Sequence, residues 1–194
     1  DAERTERLMI RDAILIASNS LCRVGELHQM RWGDVEKIES AFDSEELPVE
    51  LVTLNIRGET SKTRNSRRII VRGGQYFVRL RERASYTGKD DFVFASVGGN
   101  RKYARQKWYS RWNELMTGIG IEDYQERKLT WYSLRHFGLT CRIRAGNTYS
   151  ENTEMAGTSA TYIETHYKHY DDGMLRTAAL KSFSIDKSGI IFTN

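Results

Sequence analysis

The chain has 194 residues, a mass of 22.5 kDa, 39% hydrophobic and 29% charged residues, and a net charge of +4 at pH 7. This length and composition predict one domain with a hydrophobic core and exclude a disordered chain, and the longest apolar stretch near the start, residues 13–17, is too short to span a bilayer. Two cysteines and four scattered histidines predict neither a disulfide framework nor a metal site, and they fit a protein of the cytoplasm in which both cysteines are buried.

The first half of the chain predicts two helices and a pair of strands. Residues 5–18 carry apolar side chains at helical spacing, and a turn at 19–20 leads to a short helix over 24–30. Residues 34–50 contain seven acids and one lysine, which predicts an acidic connection that faces solvent. Residues 51–56 and 68–71 read as strands, and the polar segment 58–65 between them predicts an antiparallel pair.

The second half predicts mostly helices. Residues 76–84, 102–117, 132–145, 151–155, 162–170 and 172–182 read as helical, and Trp108 and Trp112 share one side of the second of these, where we expect them in the core. Residues 99–112 contain five cations and no acid. Such segregated charge indicates a surface for nucleic acid, although a solvated helix face explains it equally well. The chain is therefore predicted to be mainly α with a small antiparallel β-sheet, an α+β fold.

Three separated sequence boxes carry residues suited to chemistry on a phosphate: RVGEL at 23–27, YSLRH at 132–136 and ETHYKH at 164–169. Two guanidinium groups, from Arg23 and Arg135, can clamp the non-bridging oxygens of one phosphate. The phenol of Tyr167, held in line with that phosphate, can attack it and form a covalent phosphotyrosine. Glu26 lies on the same helical face as Arg23 and can hold its guanidinium in place.

These boxes resemble those of the C-terminal catalytic domain in the tyrosine recombinase or phage integrase family, over about residues 5–180. The first box continues into RWGD at 31–34, and the run MAGTS at 155–159 places a tyrosine nine residues after Thr158. The resemblance implies the fold of that catalytic domain over residues 1–183 and a tail, 184–194, that packs on a neighbouring protomer. It also implies an N-terminal core-binding domain, which we expect to be absent from this sequence.

The resemblance also assigns roles to individual residues. Arg23 and Arg135 clamp the phosphate, Tyr167 is the nucleophile in competition with Tyr162 and Tyr170, and a lysine between the two strands, Lys62, is the general acid. The chain departs from the family twice, since Tyr132 and Thr158 stand where histidines are usual. For Tyr132 we therefore expect a phosphate contact but no general-base action, because a phenol does not exchange protons near neutral pH.

Further residues are expected to support the site or to bind DNA. The supporting side chains are Glu26, His136, His166 and His169; for His136 we expect a hydrogen bond inside the core beside the site, and His166 or His169 can supply an imidazole. The expected DNA contacts are cationic: Arg64, Arg67, Arg68, Arg101, Lys102, Arg105 and Arg111.

The resemblance implies a site-specific DNA recombinase that integrates or excises a phage or mobile element through a 3′-phosphotyrosine intermediate. Its partners would be double-stranded DNA and copies of itself, as a dimer at each site and a tetramer in synapsis, with no cofactor, no metal, no small-molecule substrate and no membrane. Two alternatives remain open. The replacement of two histidines by Tyr132 and Thr158 leaves room for a binding-only relative without catalysis, and a type IB topoisomerase shares the phosphotyrosine chemistry but acts as a monomer.

Overall fold

A computed structural model describes residues 2–61, 64–167 and 176, and the backbone of 184–185 and 191–192. The chain opens with helix α1 (Ala2–Ser20), in which Met9, Ala13 and Ile16 recur every three or four residues and are buried. A turn with Leu21 in the left-handed region, at φ 56°, leads to the short helix α2 (Val24–His28).

A three-stranded antiparallel sheet follows, in the spatial order β1-β2-β3. Its strands are β1 (Val35–Phe42), β2 (Pro48–Ile56) and β3 (Arg67–Arg72). The predicted pair corresponds to β2 and β3, whose register aligns Val52 with Val71. Residues 34–50 are exposed or half-buried apart from Asp34, as predicted for a segment that faces solvent, but the prediction that they form only a connection was wrong. They contain β1 and its turn into β2, because one face of β1 is solvated and can carry acids while the backbone pairs with β2.

The main core lies between α1, the sheet and two further helices, α3 (Gly74–Arg83) and α4 (Arg105–Gly118). Trp108 and Trp112 are buried there, as predicted. Trp108 packs against Trp131 with 4.6 Å between ring centroids, and the indole N–H of Trp131 donates to the backbone carbonyl of Trp108 at 3.0 Å. These contacts join α4 to the helix that begins at Trp131.

Three helices complete the described core: α5 (Trp131–Arg144), α6 (Tyr149–Ala156) and α7 (Ala160–Tyr167). They share a second, smaller apolar cluster that includes Leu139, Ile163 and Tyr167. Helix α5 also crosses α1 at Gly138, where a Cβ atom would lie 2.1 Å from the backbone oxygen of Ser18. Only glycine permits that approach, so α5 packs closely against the C-terminal end of α1. That end lies just before the turn that leads to Arg23.

The α+β prediction is confirmed, but details differ. Cys22 is buried as expected, whereas Cys141 lies exposed on α5. The last two predicted helices, 162–170 and 172–182, extend beyond the described residues. Residues 168–170 of the first lie outside the described part, as do all residues of the second except residue 176. Of the predicted tail, the described backbone is a two-stranded antiparallel pair, β4 (Ser184–Ile185) and β5 (Ile191–Phe192). None of the helices in the described part is long and apolar enough to cross a membrane.

Candidate active site

Arg23 is positioned by the first turn of α2. Its backbone N–H donates to Oε2 of Glu26 at 2.7 Å, and its guanidinium donates to Oε1 of the same carboxylate at 3.0 Å. The other terminal nitrogen reaches across the molecule to the carbonyl of Gly157 at 2.6 Å. Glu26 thus fixes Arg23 at both its backbone and its side chain, the arrangement expected from their spacing.

Arg67 forms a second pair of hydrogen bonds with the same carboxylate, that of Glu26. Its two terminal nitrogens donate to the oxygens of Glu26 at 2.9 and 2.8 Å. The side chain of Arg67 is 11% exposed and that of Glu26 is 1% exposed, and the predicted contact of Arg67 with the DNA backbone stays a prediction. Burial raises the pKa of Glu26, but the bonds from Arg67 and Arg23 outweigh it and hold this pKa below its ordinary value.

Arg135 enters the site from α5 and is buried. Its guanidinium donates to the carbonyl of Leu21, at the turn before Arg23, and to the carbonyl of Ala156 at 2.8 Å. Burial lowers the pKa of Arg135, and the positive charge of Arg23 lowers it further. The two guanidinium groups therefore lie close enough to repel each other.

The C-terminal end of α6 brings the three arginines together. Its last carbonyls each accept from one guanidinium: Met155 from Arg67 at 3.3 Å, Ala156 from Arg135, and Gly157 from Arg23. Such carbonyls lack partners within the helix and carry partial negative charge. Three guanidinium cations and the carboxylate of Glu26 leave the cluster with two positive charges in excess. A phosphate group is the natural complement of such a site.

Gly157 makes this convergence possible. It is the C-cap of α6 in the left-handed conformation, with φ 60°, and a Cβ atom there would lie 2.9 Å from the guanidinium carbon of Arg67. Thr158 follows it at once and is half-buried, so the structure places this predicted residue at the edge of the arginine cluster.

Tyr167 is the last described residue of α7, and 9% of it is exposed. Its hydroxyl contacts Nδ1 of His136, and the two rings stack with 5.4 Å between centroids. Burial raises the pKa of Tyr167, and the neighbouring phenols of Tyr162 and Tyr132 raise it further, while the positive charge of Arg135 acts in the opposite direction. The structure thus brings Tyr167 beside the arginine cluster.

The competing tyrosines are placed differently. Tyr162 stacks on His166 at 4.1 Å between centroids, and the hydroxyls of Tyr132 and Tyr162 share a hydrogen bond that raises the pKa of Tyr162. Tyr132, at the start of α5, also packs edge-on against His136. Tyr170, His169 and Lys62 lie outside the described residues, so their predicted roles remain predictions.

No protein-family model and no curated protein sequence matches the chain. Solved structures do match. A XerH site-specific recombinase bound to difH substrate is 17% identical, with a TM-score of 0.62, over 91% of this chain and 48% of that one. XerA recombinase is 21% identical, with a TM-score of 0.57, over 92% of this chain and 61% of that one. The chain has the fold of a tyrosine recombinase catalytic domain.

The recombinase fold is also shared with the Tn1549 transposon integrase in complex with transposon right end DNA. That match is 16% identical, with a TM-score of 0.55, over 91% of this chain and 62% of that chain. The chain thus spans about half to three fifths of the length of these structures. At such identities the likeness concerns the fold alone.

Within the recombinase fold, most of the predicted DNA-contact residues lie on the surface. Arg64, Arg101, Lys102 and Arg105 are exposed, and Arg68 is exposed in an ion pair with Glu36 at 2.7 Å. Lys102 and Arg105 line a groove of about 470 Å³ between α2 and the start of α4. This groove begins beside Val24, the residue after Arg23.

Arg111, like Arg67, forms ion pairs within the protein, and its predicted contact with DNA stays a prediction. Its side chain is 20% exposed, and its guanidinium binds the carboxylates of Glu6 and Glu114, while Tyr103 donates to the same Glu6. The sequence did not predict the acidic partners of Arg111 and Arg67, because both residues lie among other cations in the chain and only the fold brings the carboxylates to them. For Arg67 a signal existed, since β-strand alternation places it on the same face as the buried Ile69 and Val71.

Proposed function

We propose that this chain is the catalytic domain of a site-specific DNA recombinase that cleaves and rejoins strands through a 3′-phosphotyrosine intermediate, as in the integration or excision of a phage or mobile element. The observation that carries the proposal is the meeting of Arg23 and Arg135 at consecutive carbonyls, Gly157 and Ala156, with the hydroxyl of Tyr167 on His136, the residue after Arg135. Separate parts of the chain thus supply two clamps and a phenol at one place.

In the proposed cleavage, one phosphate of DNA enters the arginine cluster. A guanidinium carries five N–H donors, and the bonds of Arg23 to Glu26 and Gly157 involve only two of them. The same group can therefore bind a phosphate oxygen while it stays anchored. Arg135 and Arg23 would stabilise the negative charge that develops in the pentacoordinate transition state, and Tyr132 and Thr158 would donate hydrogen bonds from the edge.

The phenolic oxygen of Tyr167 would attack the phosphorus, and the 5′ oxygen would leave with a proton from Lys62. An ammonium suits this task because its proton can move, whereas a guanidinium holds its proton at any working pH. The tyrosine ester conserves the energy of the phosphodiester, so the 5′ hydroxyl of another strand can reverse the attack without ATP.

The likeness to structures of DNA-bound recombinases supports double-stranded DNA as the partner of this chain. We further propose that two copies act at each site and four in synapsis, with residues 184–194 packing on a neighbouring protomer. Deletion of 184–194 should then reduce assembly on DNA, measured by native gel shift. Unchanged assembly of the shortened chain would rule out that role.

A nicked duplex that traps the covalent product tests the proposal. Because the fragment released next to the nick cannot religate, the protein–DNA adduct accumulates and shifts on a denaturing gel. The unmodified chain should form the adduct, Tyr167→Phe should form none, and Tyr162→Phe should retain it. If Tyr162→Phe abolishes the adduct instead, the nucleophile is misassigned. If no variant forms an adduct while DNA binding persists, the binding-only alternative is favoured, a reading that the replacement of imidazoles by Tyr132 and Thr158 supports.

A further inference from the structure

His136 differs from the other histidines that the structure describes in what its ring touches. His28 and His166 each contact a backbone carbonyl, of Tyr103 and Tyr162 respectively. The Nδ1 atom of His136 instead contacts the hydroxyl of Tyr167, the proposed nucleophile. An imidazole within hydrogen-bond reach of a nucleophilic hydroxyl is the geometry of a general base.

The surroundings hold this ring in place. His136 follows Arg135 on α5, so the fold positions the imidazole and one phosphate clamp together. Its ring stacks on that of Tyr167 at an interplanar angle of 29° and meets the edge of Tyr132 at 79°, with 4.8 Å between centroids. When Nε2 carries the proton of the neutral imidazole, Nδ1 presents a lone pair to the phenol.

The charges around the pair favour proton transfer at neutral pH. The groups that contact or act electrostatically on His136 are Arg135 and Tyr132 on its own helix and His166 and Tyr167 on α7. Burial lowers the pKa of His136 below 6.5, and electrostatic interactions with Arg135 and His166 lower it further. The imidazole is therefore neutral and able to accept a proton at pH 7, while the raised pKa of Tyr167 means that its phenol does not ionise unaided.

We infer that His136 is the general base of strand cleavage, an inference that rests on the function proposed above. As the bond between the Tyr167 oxygen and phosphorus forms, the phenolic O–H bond breaks and its proton passes to Nδ1 of His136. The bond between phosphorus and the 5′ oxygen breaks, and that oxygen takes a proton from Lys62 or from water. In rejoining, the imidazolium returns its proton to the phenol. The hydroxyls of Tyr132 and Thr158 cannot perform this exchange near neutral pH.

The test is the single-turnover rate of adduct formation on the nicked duplex for His136→Asn. Asparagine places an oxygen near the position of Nδ1, so it keeps a hydrogen-bond acceptor but cannot hold the proton. At pH 7.5 the rate should fall by about 10²- to 10⁴-fold, the usual contribution of a general base, while thermal unfolding and DNA affinity stay close to those of the unmodified chain. A merely positioning role predicts a retained rate in this variant, which would overturn the inference.

The pH profile supplies a test that needs no substitution. The rate of the unmodified chain should rise with pH, as His136 loses its proton, and level off once the pH exceeds the depressed pKa, below about 6.5. For His136→Asn the rise should continue through pH 9, because the phenol itself must then ionise. A profile of the unmodified chain that rises without levelling between pH 5 and 9 would overturn the inference even if the variant does not fold.

Two further experiments test whether His136 acts as a base and not as an acid, and whether His166 acts in its place. A substrate with sulfur in place of the leaving 5′ oxygen needs no general acid. If His136 is the base, this substrate should therefore not restore the rate of His136→Asn. A restored rate would show that His136 acts as the acid and would refute the inference. If His166→Asn loses the rate and His136→Asn keeps it, the base is His166. If the adduct forms through Tyr167 and His136→Asn cleaves at the unmodified rate, the inference about His136 fails but the proposed function stands. If the unmodified chain forms no adduct, both the inference and the proposed function fail.

Discussion

Arg67 places the two terminal nitrogens of its guanidinium on the two carboxylate oxygens of Glu26, at 2.9 and 2.8 Å. The pair is nearly free of solvent and joins strand β3 to helix α2. Since the same carboxylate also holds Arg23, the position of one proposed phosphate clamp depends on an arginine that need not touch DNA at all. Removal of Arg67 is therefore expected to affect stability first and catalysis through Arg23.

We predict that Arg67→Met lowers the free energy of unfolding by about 3 kcal/mol, measured by urea denaturation. Loss of one partner of a buried ion pair costs about 3–5 kcal/mol, and the lower end applies because Arg23 still pairs with Glu26. Arg68→Met is the matched control, since Arg68 is the next residue on β3 and lies exposed; its effect should stay within about 0.5 kcal/mol. Equal effects of the two substitutions would show that the Arg67–Glu26 pair adds nothing to stability.

The titration of Glu26 predicts a pH dependence of stability. Because its pKa in the folded chain is held below the ordinary value of 4.5, ionised Glu26 stabilises the fold fully above pH 4.5, and this contribution is lost as the pH falls below 4.5 through the folded-state pKa. Glu26→Gln removes the titrating group. The difference in unfolding free energy between the unmodified chain and Glu26→Gln should therefore be largest near pH 7 and shrink below pH 4.5. A difference that stays constant from pH 7 to pH 3 would contradict this assignment.

Gly157 should be required both for its backbone conformation and for the space it leaves. Gly157→Ala forces a side chain into the left-handed region and against Arg67. Gly146→Ala is a suitable control, because Gly146 also has a positive φ, 91°, but nothing lies within 4 Å of its Cβ position. We expect Gly146→Ala to cost about 1 kcal/mol for the conformation alone, and Gly157→Ala to cost more, measured by thermal denaturation.

The same comparison predicts a functional difference. Displacement of Arg67 and of the carbonyl at 157 would shift Arg23, so Gly157→Ala should slow adduct formation on the nicked duplex, at a temperature where both variants are folded. Gly146→Ala should cleave at the rate of the unmodified chain. If Gly157→Ala cleaves equally fast, the arginine cluster does not depend on this glycine.

How much the sequence reveals depends on whether a feature has a local pattern. The helices and the β2–β3 pair follow from periodicity and turn residues, and Trp108 and Trp112 are buried as their spacing predicts. Strand β1 was missed because an edge strand with one solvated face tolerates the acids of 34–50. The Glu26 partner of Arg23 follows from their spacing, but the backbone partners of the site arginines could not be predicted, because Ala156 and Gly157 take part through carbonyls that leave no mark in the side-chain sequence.

The last prediction separates the two arginines of α4 that the sequence alone treats alike. Arg105 is exposed beside the groove near α2, so Arg105→Ala should weaken binding to duplexes of any sequence and reduce the slope of log affinity against log salt by about 1. Arg111 is committed to Glu6 and Glu114, so Arg111→Ala should leave that slope unchanged and lower the midpoint of thermal unfolding by about 2–4 °C, equivalent to about 1 kcal/mol. Fluorescence anisotropy over a series of salt concentrations measures the slope. A reduced slope for folded Arg111→Ala would place Arg111 on the DNA surface after all, and an unchanged slope for Arg105→Ala would remove the groove between α2 and α4 from it.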